Sequence, residues 1–211
     1  MKSIFSALKF GSAKAIIIPS YSRADPYQNE NFEKLAHLKR EKKYEESLAF
    51  IDAIESKGTD ELHKFWLYSK VNKERAIIYR KLGDKQIAKY YDVLSLFGSI
   101  ISGVYYRTYD DELIKPCFDY INLRLYSNDI INNKVCEYAE WFKPLAYELI
   151  SINKEIKQEI DDTYLDYDYK YANGWDLEIF MHKKNKRFNN IAQQIEHNMP
   201  HHFIDKSLFL Q

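Results

Sequence analysis

Three imidazoles and a carboxylate lie close together late in this 211-residue chain: His197, His201, His202 and Asp205. That donor set suits zinc. The order, however, is not that of a helical zinc motif. Pro200 keeps His197 and His201 from sharing one regular helix face, and the HExxH arrangement with its general-base glutamate is missing. The group reads as polar surface histidines, with no metal and no cofactor expected. A metal-dependent hydrolase built on it is the enzymatic alternative.

A second constellation is acidic and aromatic: Asp161, Asp162, Tyr164, Asp166, Tyr167, Asp168, Tyr169 and Tyr171. Its DxDx spacing resembles part of a calcium loop, but the glycine and closing glutamate that such a loop needs are absent. Carboxylates alternating with amphipathic rings suit a basic protein patch instead, because tyrosine gives contact area at low entropic cost. These eight residues are the candidate partner-binding surface. A third group, His182 to Arg187 (HKKNKR), has charges for phosphates, yet reads as a solvated helix face, as does KREKK at 39–43. Trp66 with Tyr68, and Tyr105, Tyr106, Arg107 and Tyr109, are aromatic enough to line a peptide groove, with Trp66 assigned to the core.

Nothing in the chain signals nucleophilic catalysis. There is no GxSxG elbow and no phosphate-cradling glycine loop. Cys117 and Cys136 form no CxxC pair and read as reduced core residues of a cytoplasmic protein. Thirty-one basic residues balance thirty-one acidic ones. Non-specific nucleic-acid binding draws on a basic excess, so none is expected. At the amino end Lys9 and Lys14 interrupt the apolar run, which argues against a secretory leader or a membrane span. Residues 1–30 read as a docking segment and loop, with Ile16–Ile18 against the core and a turn at Asp25-Pro26.

The elements that must carry these groups are helical. Six glycines and five prolines are too few for a turn-rich β protein. Residues 31–57 read as one helical element closed by Lys57-Gly58, with Thr59 or Asp60 capping the next helix. That next helix is apolar on two faces and so needs neighbours on both sides. Leu82-Gly83-Asp84 is the turn of an αα-hairpin, and Gly98 and Gly103 mark sites of close packing or a break. Pro144 is expected to end or kink a later helix, before the stripe Leu145, Leu149, Ile152, Ile156 and Ile160. A last helix is expected over 175–197.

KKYEESLAFIDAI (42–54) and RAIIYRKLGDKQIAKYYDVL (75–94) resemble tetratricopeptide-type hairpin repeats, in which a glycine-containing turn precedes a small and then an aromatic residue. Ser47 and Ile87 stand where that family prefers alanine, and the two units lie about forty rather than thirty-four residues apart. The resemblance implies a peptide-binding helical scaffold. The fold expected is all-α: a layered array or bundle of about seven to eight helices built from αα-hairpins, forming a single helical domain over 31–211. The function expected is a non-catalytic protein–protein interaction module of scaffold or adaptor type, whose partner is another protein or a peptide and neither nucleic acid nor membrane. A more specific form is an immunity or antitoxin protein that covers a toxin with its acidic tyrosine surface.

Overall fold

The computed structural model describes residues 5–8, 16–19, 26–59, 63–106, 114–115, 117–119, 129–163 and 180–210. The fold is all-α, with a short antiparallel hairpin of β1 (Phe5–Leu8) and β2 (Ile16–Pro19) ahead of the helices. The pairing sets Phe5 against Pro19 and Leu8 against Ile16. The chain divides into two compact units, Met1–Ser102 with Asp205–Gln211, and Gly103–Ile204.

In the first unit, α1 spans Pro26–Arg40 and α2 spans Tyr44–Lys57. Pro26 opens a helix here instead of turning a loop. Its fixed φ and missing N–H cost nothing at the first helical position. The single element expected over 31–57 is in fact two. Lys42 adopts φ 59°, its N–H bonds to the Lys39 carbonyl at 3.1 Å, and the Lys43 N–H reaches back to Leu38 at 3.0 Å. This paired closure ends helices in the left-handed conformation, usually with glycine where lysine stands here. No local sequence cue announces it.

Helix α3 is Lys64–Leu82 and α4 is Lys85–Tyr106. Helix α3 begins after His63, so Thr59 is not at its cap position, and Asp60 lies outside the described residues. The turn between α3 and α4 is where the sequence placed it. Gly83 sits at φ 90°, the Asp84 N–H bonds to the Tyr79 carbonyl, and the Asp84 carboxylate accepts the Ile87 N–H at 2.9 Å. One residue thus helps close α3 and caps α4.

The two-faced pattern of α3 is realised as burial on both sides. Leu67, Val71 and Ile78 join Leu35, Ile51 and Ile54 in one core, with Phe32, Tyr44, Leu48, Phe50 and Trp66 packed against it. On the α4 side the helices approach through small residues. Ser69 Oγ donates to the Ser95 carbonyl at 2.9 Å and lies 2.6 Å from Ser99 Oγ. A Cβ at Gly98 would meet Tyr68 Cδ1 at 2.7 Å and Ser69 Cα at 3.1 Å. Close packing is therefore what Gly98 provides.

In the second unit, α5 (Asp129–Thr163) does not end at Pro144, which lies inside it. The Pro144 ring is exposed, so the carbonyl it deprives of a partner can turn to water. Two apolar patterns separated by a proline are consequently one helix. Ile131, Val135, Tyr138, Phe142, Leu149, Ile152, Ile156 and Ile160 are all buried along it. The last helix expected over 175–197 is interrupted at Asn185, whose side chain accepts the Phe188 N–H at 3.1 Å and starts α6 (Lys186–His197) afresh. Phe180, assigned to its apolar stripe, is about half exposed at 49%. A single turn, α7 (Pro200–Phe203), and a 3₁₀ turn, η1 (Lys206–Phe209), follow.

Three substitutions separate backbone conformation from packing. Gly83→Ala should cost about 1 kcal/mol, because its left-handed φ penalises a Cβ although the space is open. Gly98→Ala should cost about 1–3 kcal/mol through overpacking, despite the better helix propensity of alanine. Lys42→Gly should stabilise by roughly 1 kcal/mol by relieving the same left-handed strain. Urea unfolding monitored by helical circular dichroism checks all three.

Candidate functional site

The feature with the most chemistry in the first unit lies on α3 and escaped the sequence reading. Arg75, its side chain only 10% exposed, donates from Nη2 to Asp52 Oδ1 and to Glu55 Oε2, both at 2.6 Å. Asp52 and Glu55 are on α2, three residues apart and therefore on one helical face. Nη1 points to Asn72 Oδ1 at 3.4 Å, and Asn72 is itself held by its Nδ2 donating to the Tyr68 carbonyl. Burial works against the Arg75 charge, but the hydrogen bonds to Glu55 and Asp52 outweigh it and hold the guanidinium charged.

Aromatic rings continue from that cation. The Arg75 guanidinium carbon lies 5.7 Å from the centre of the Tyr91 ring, a cation–π distance. Tyr91 stacks on Tyr79 at 5.4 Å with 12° between planes, and meets Tyr90 edge-on at 5.1 Å. The Lys206 ammonium lies 5.3 Å from the Tyr91 ring centre and 5.5 Å from that of Tyr79. Phe209 packs edge-on to Tyr90 at 5.5 Å. Burial raises the Tyr90 hydroxyl to about 12, with Tyr91 and Asp205 adding to it. Tyr91 is raised by burial too, against the pull of Arg75. These phenols stay protonated at neutral pH. What they can offer a neighbour is shape and ring charge.

Beside Arg75, Glu74 is also buried and turns to other partners, an ion pair with Lys39 of α1 and a 3.4 Å contact to Lys70.

The residues singled out from sequence fare differently from one another. Asp161 and Asp162 lie on the last turn of α5. Asp161 pairs with Lys157 at 2.5 Å, and Asp162 accepts from Gln158 at 2.7 Å. Tyr164, Asp166, Tyr167, Asp168, Tyr169 and Tyr171 lie outside the described residues, as do Arg107 and Tyr109. Asp162 continues an acidic stripe that periodicity had not brought out. Glu137, Glu140, Glu148, Glu155, Glu159 and Asp162 are all exposed on one face of α5. Arg187 of α6 bridges the middle of this stripe, donating to Glu148 at 2.7 Å and to Glu155 at 2.8 Å.

The basic run is partly committed within the chain, while Lys183, Lys184 and Lys186 are exposed. Arg187 is engaged with carboxylates, and Lys184 lies 4.0 Å from the Phe180 ring centre. His182 is fully buried, with Nε2 2.8 Å from Asn153 Oδ1 while Asn153 Nδ2 donates to the Val104 carbonyl. Trp66 packs on the core as assigned, edge-on to Phe32 at 5.9 Å. The rings of His201 and His202 lie 4.0 Å apart, tilted by 44°, and Asp205 accepts the Ser207 N–H at 2.7 Å. Among the described residues no three or more His, Cys, Asp or Glu side chains are placed to share a metal ion. Nor is any described helix long and apolar enough to cross a membrane. Cys117 is buried, and Cys136 is partly accessible.

Arg75→Met should destabilise by about 2–3 kcal/mol, since two charge-assisted bonds are lost and two carboxylates are left side by side. Arg75→Lys should recover only part of that loss, because one compact ammonium cannot reproduce the planar fork, and thermal unfolding ranks the pair. Alkali should also weaken the fold. Burial raises the Cys117 thiol from 9.0 to about 11, and Tyr90 moves from 10.0 to about 12. Both acids ionise earlier in the unfolded chain, so their stabilisation is complete below pH 9 and is lost as pH rises through 11 and 12. Urea midpoints that fall across that window check this. No protein-family model, no curated protein and no solved structure matches the chain, so its function is read from residues and geometry alone.

Proposed function

We propose that the protein is a non-catalytic helical interaction module of scaffold or adaptor type, with a tetratricopeptide-like hairpin array in its first unit. The observation that carries this reading is the acidic stripe on α5. Six exposed carboxylates share one helical face and lead into the acidic tyrosine stretch that begins at Asp161. An acidic face of this length, flanked by tyrosines in sequence, suits a basic protein surface. Charge complementarity there would speed encounter and fix register more than it would add affinity. Arg187 lying between Glu148 and Glu155 is an intramolecular example of how an arginine is received on that face.

The same stripe favours one more specific role, an immunity or antitoxin protein that neutralises a basic toxin. Both readings place binding at Glu137, Glu140, Glu159, Asp161, Asp162, Asp166 and Asp168.

Affinity capture with the wild-type chain should recover a basic protein whose binding weakens as salt is raised. Converting those seven residues together to Gln or Asn should reduce recovery by at least about tenfold, the effect of losing roughly 1.4 kcal/mol. No partner above background would reject the module, and undiminished capture by the neutralised variant would reject this surface. A captured toxin whose activity is blocked by the wild type alone would select the immunity role over the adaptor role.

A further inference from the structure

The segment after α7 returns to the first unit, where it lies on α3 and α4 as a bound peptide would. Its own structure is minimal. Asp205 caps one 3₁₀ turn, Lys206–Phe209, and beyond it Leu210 is 61% exposed. A single turn does not hold itself in water, so side-chain anchors must fix its position. Two anchors stand three residues apart. The Lys206 cation lies over the stacked pair Tyr79 and Tyr91, and the Phe209 ring, 1% exposed, packs edge-on to Tyr90.

The host side is pre-organised. Tyr79 and Tyr91 are already stacked, and Tyr91 is backed by Arg75, which Asp52 and Glu55 hold in place. Rigid rings read a cation and an apolar ring at little entropic cost. The side chains of Lys206 and Phe209 supply the recognition, so the site is specific for a pattern and not for this one segment.

We infer that Tyr79, Tyr90 and Tyr91, supported by Arg75, form a peptide-binding site that residues 205–210 occupy in cis. In trans it takes a partner segment with Lys or Arg three residues before Phe or another large aromatic residue. This rests on the interaction-module reading and adds a second surface to it, separate from the acidic stripe. The attached segment competes with any partner at an effective concentration of the order of millimolar, so it sets an affinity threshold.

The test uses the full chain and a fluorescent peptide of residues 204–211, IDKSLFLQ, capped at both ends, with binding read by fluorescence anisotropy. The wild-type chain should bind it weakly. The variant Lys206→Ala/Phe209→Ala should bind at least about tenfold tighter, because the competing segment is weakened. Adding Tyr79→Ala should abolish that gain, and a peptide lacking the lysine and phenylalanine should not bind. Lys206→Ala alone leaves Phe209 seated and should show a smaller gain in the same direction, which decides the matter if the double variant fails to fold. Equal or absent binding across these variants overturns the site. A concentration-dependent dimer of the wild-type chain that the added peptide dissolves overturns the occupancy in cis, in favour of exchange between copies. Failure here with partner capture by the acidic stripe intact would leave the broader reading standing.

Discussion

The first unit depends on how α3 settles two adjacent buried charges of opposite sign. Glu74 and Arg75 are neighbours in sequence, so they leave the helix about 100° apart and cannot share one partner. Glu74 takes Lys39 from α1, and Arg75 takes Asp52 and Glu55 from α2. Buried ion pairs of this kind add little net stability over apolar packing, because desolvation offsets the attraction. Their effect is on specificity. Sliding α1 or α2 by one turn along α3 would leave a charge buried without its counter-ion, which costs several kcal/mol by order of magnitude. Apolar contacts among Leu35, Ile51, Leu67 and Val71 drive the assembly and tolerate small shifts; the two charges do not.

The second unit solves a related problem with neutral groups. Asn153, buried on α5, has a two-sided amide that both donates and accepts. Its Nδ2 donates to the Val104 carbonyl, and its Oδ1 accepts from His182 Nε2, which requires the imidazole proton on Nε2. His182 in turn meets Phe188 edge-on at 4.8 Å, next to the Asn185 cap that begins α6. One amide thus ties the end of α4 to the residues that precede α6. The long helix can supply this tie because Pro144 does not break it. A proline on the solvent face loses one hydrogen bond that water replaces, while the buried face keeps its apolar register.

Helix identity was legible in the sequence wherever apolar spacing repeated, as along α3, α4 and both halves of α5. So was the Gly83-Asp84 turn, because glycine and aspartate state their conformational roles locally. Four positions were not legible, and each has a local physical reason. Lys42 is left-handed without being glycine; Pro26 and Pro144 sit in helices where their missing N–H costs little; and Asn185 acts as a cap inside what looked like one amphipathic run. The polar ties were harder still. Arg75 falls in a Lys/Arg-rich helix, and nothing in KVNKERAIIYRK distinguishes the arginine that meets two carboxylates from about twenty residues earlier in the chain from those that meet water. His182 read as part of a basic run for the same reason.

A net charge of zero conceals how the charges are distributed. Arg75, Lys39 and Lys206 are committed to partners within the first unit, and Arg187 to α5, while among the described residues six exposed carboxylates line the outer face of α5. Whole-chain balance therefore speaks to non-specific attraction at long range but not to what a partner meets at contact, since fields beyond about 8 Å are screened at physiological salt. At that distance α5 presents carboxylates at spacings of three, four, seven and eight residues. An approaching basic helix matches such a row when its own cations recur with the same period. Selectivity would then come from register along the helix, a property that neither composition nor total charge expresses.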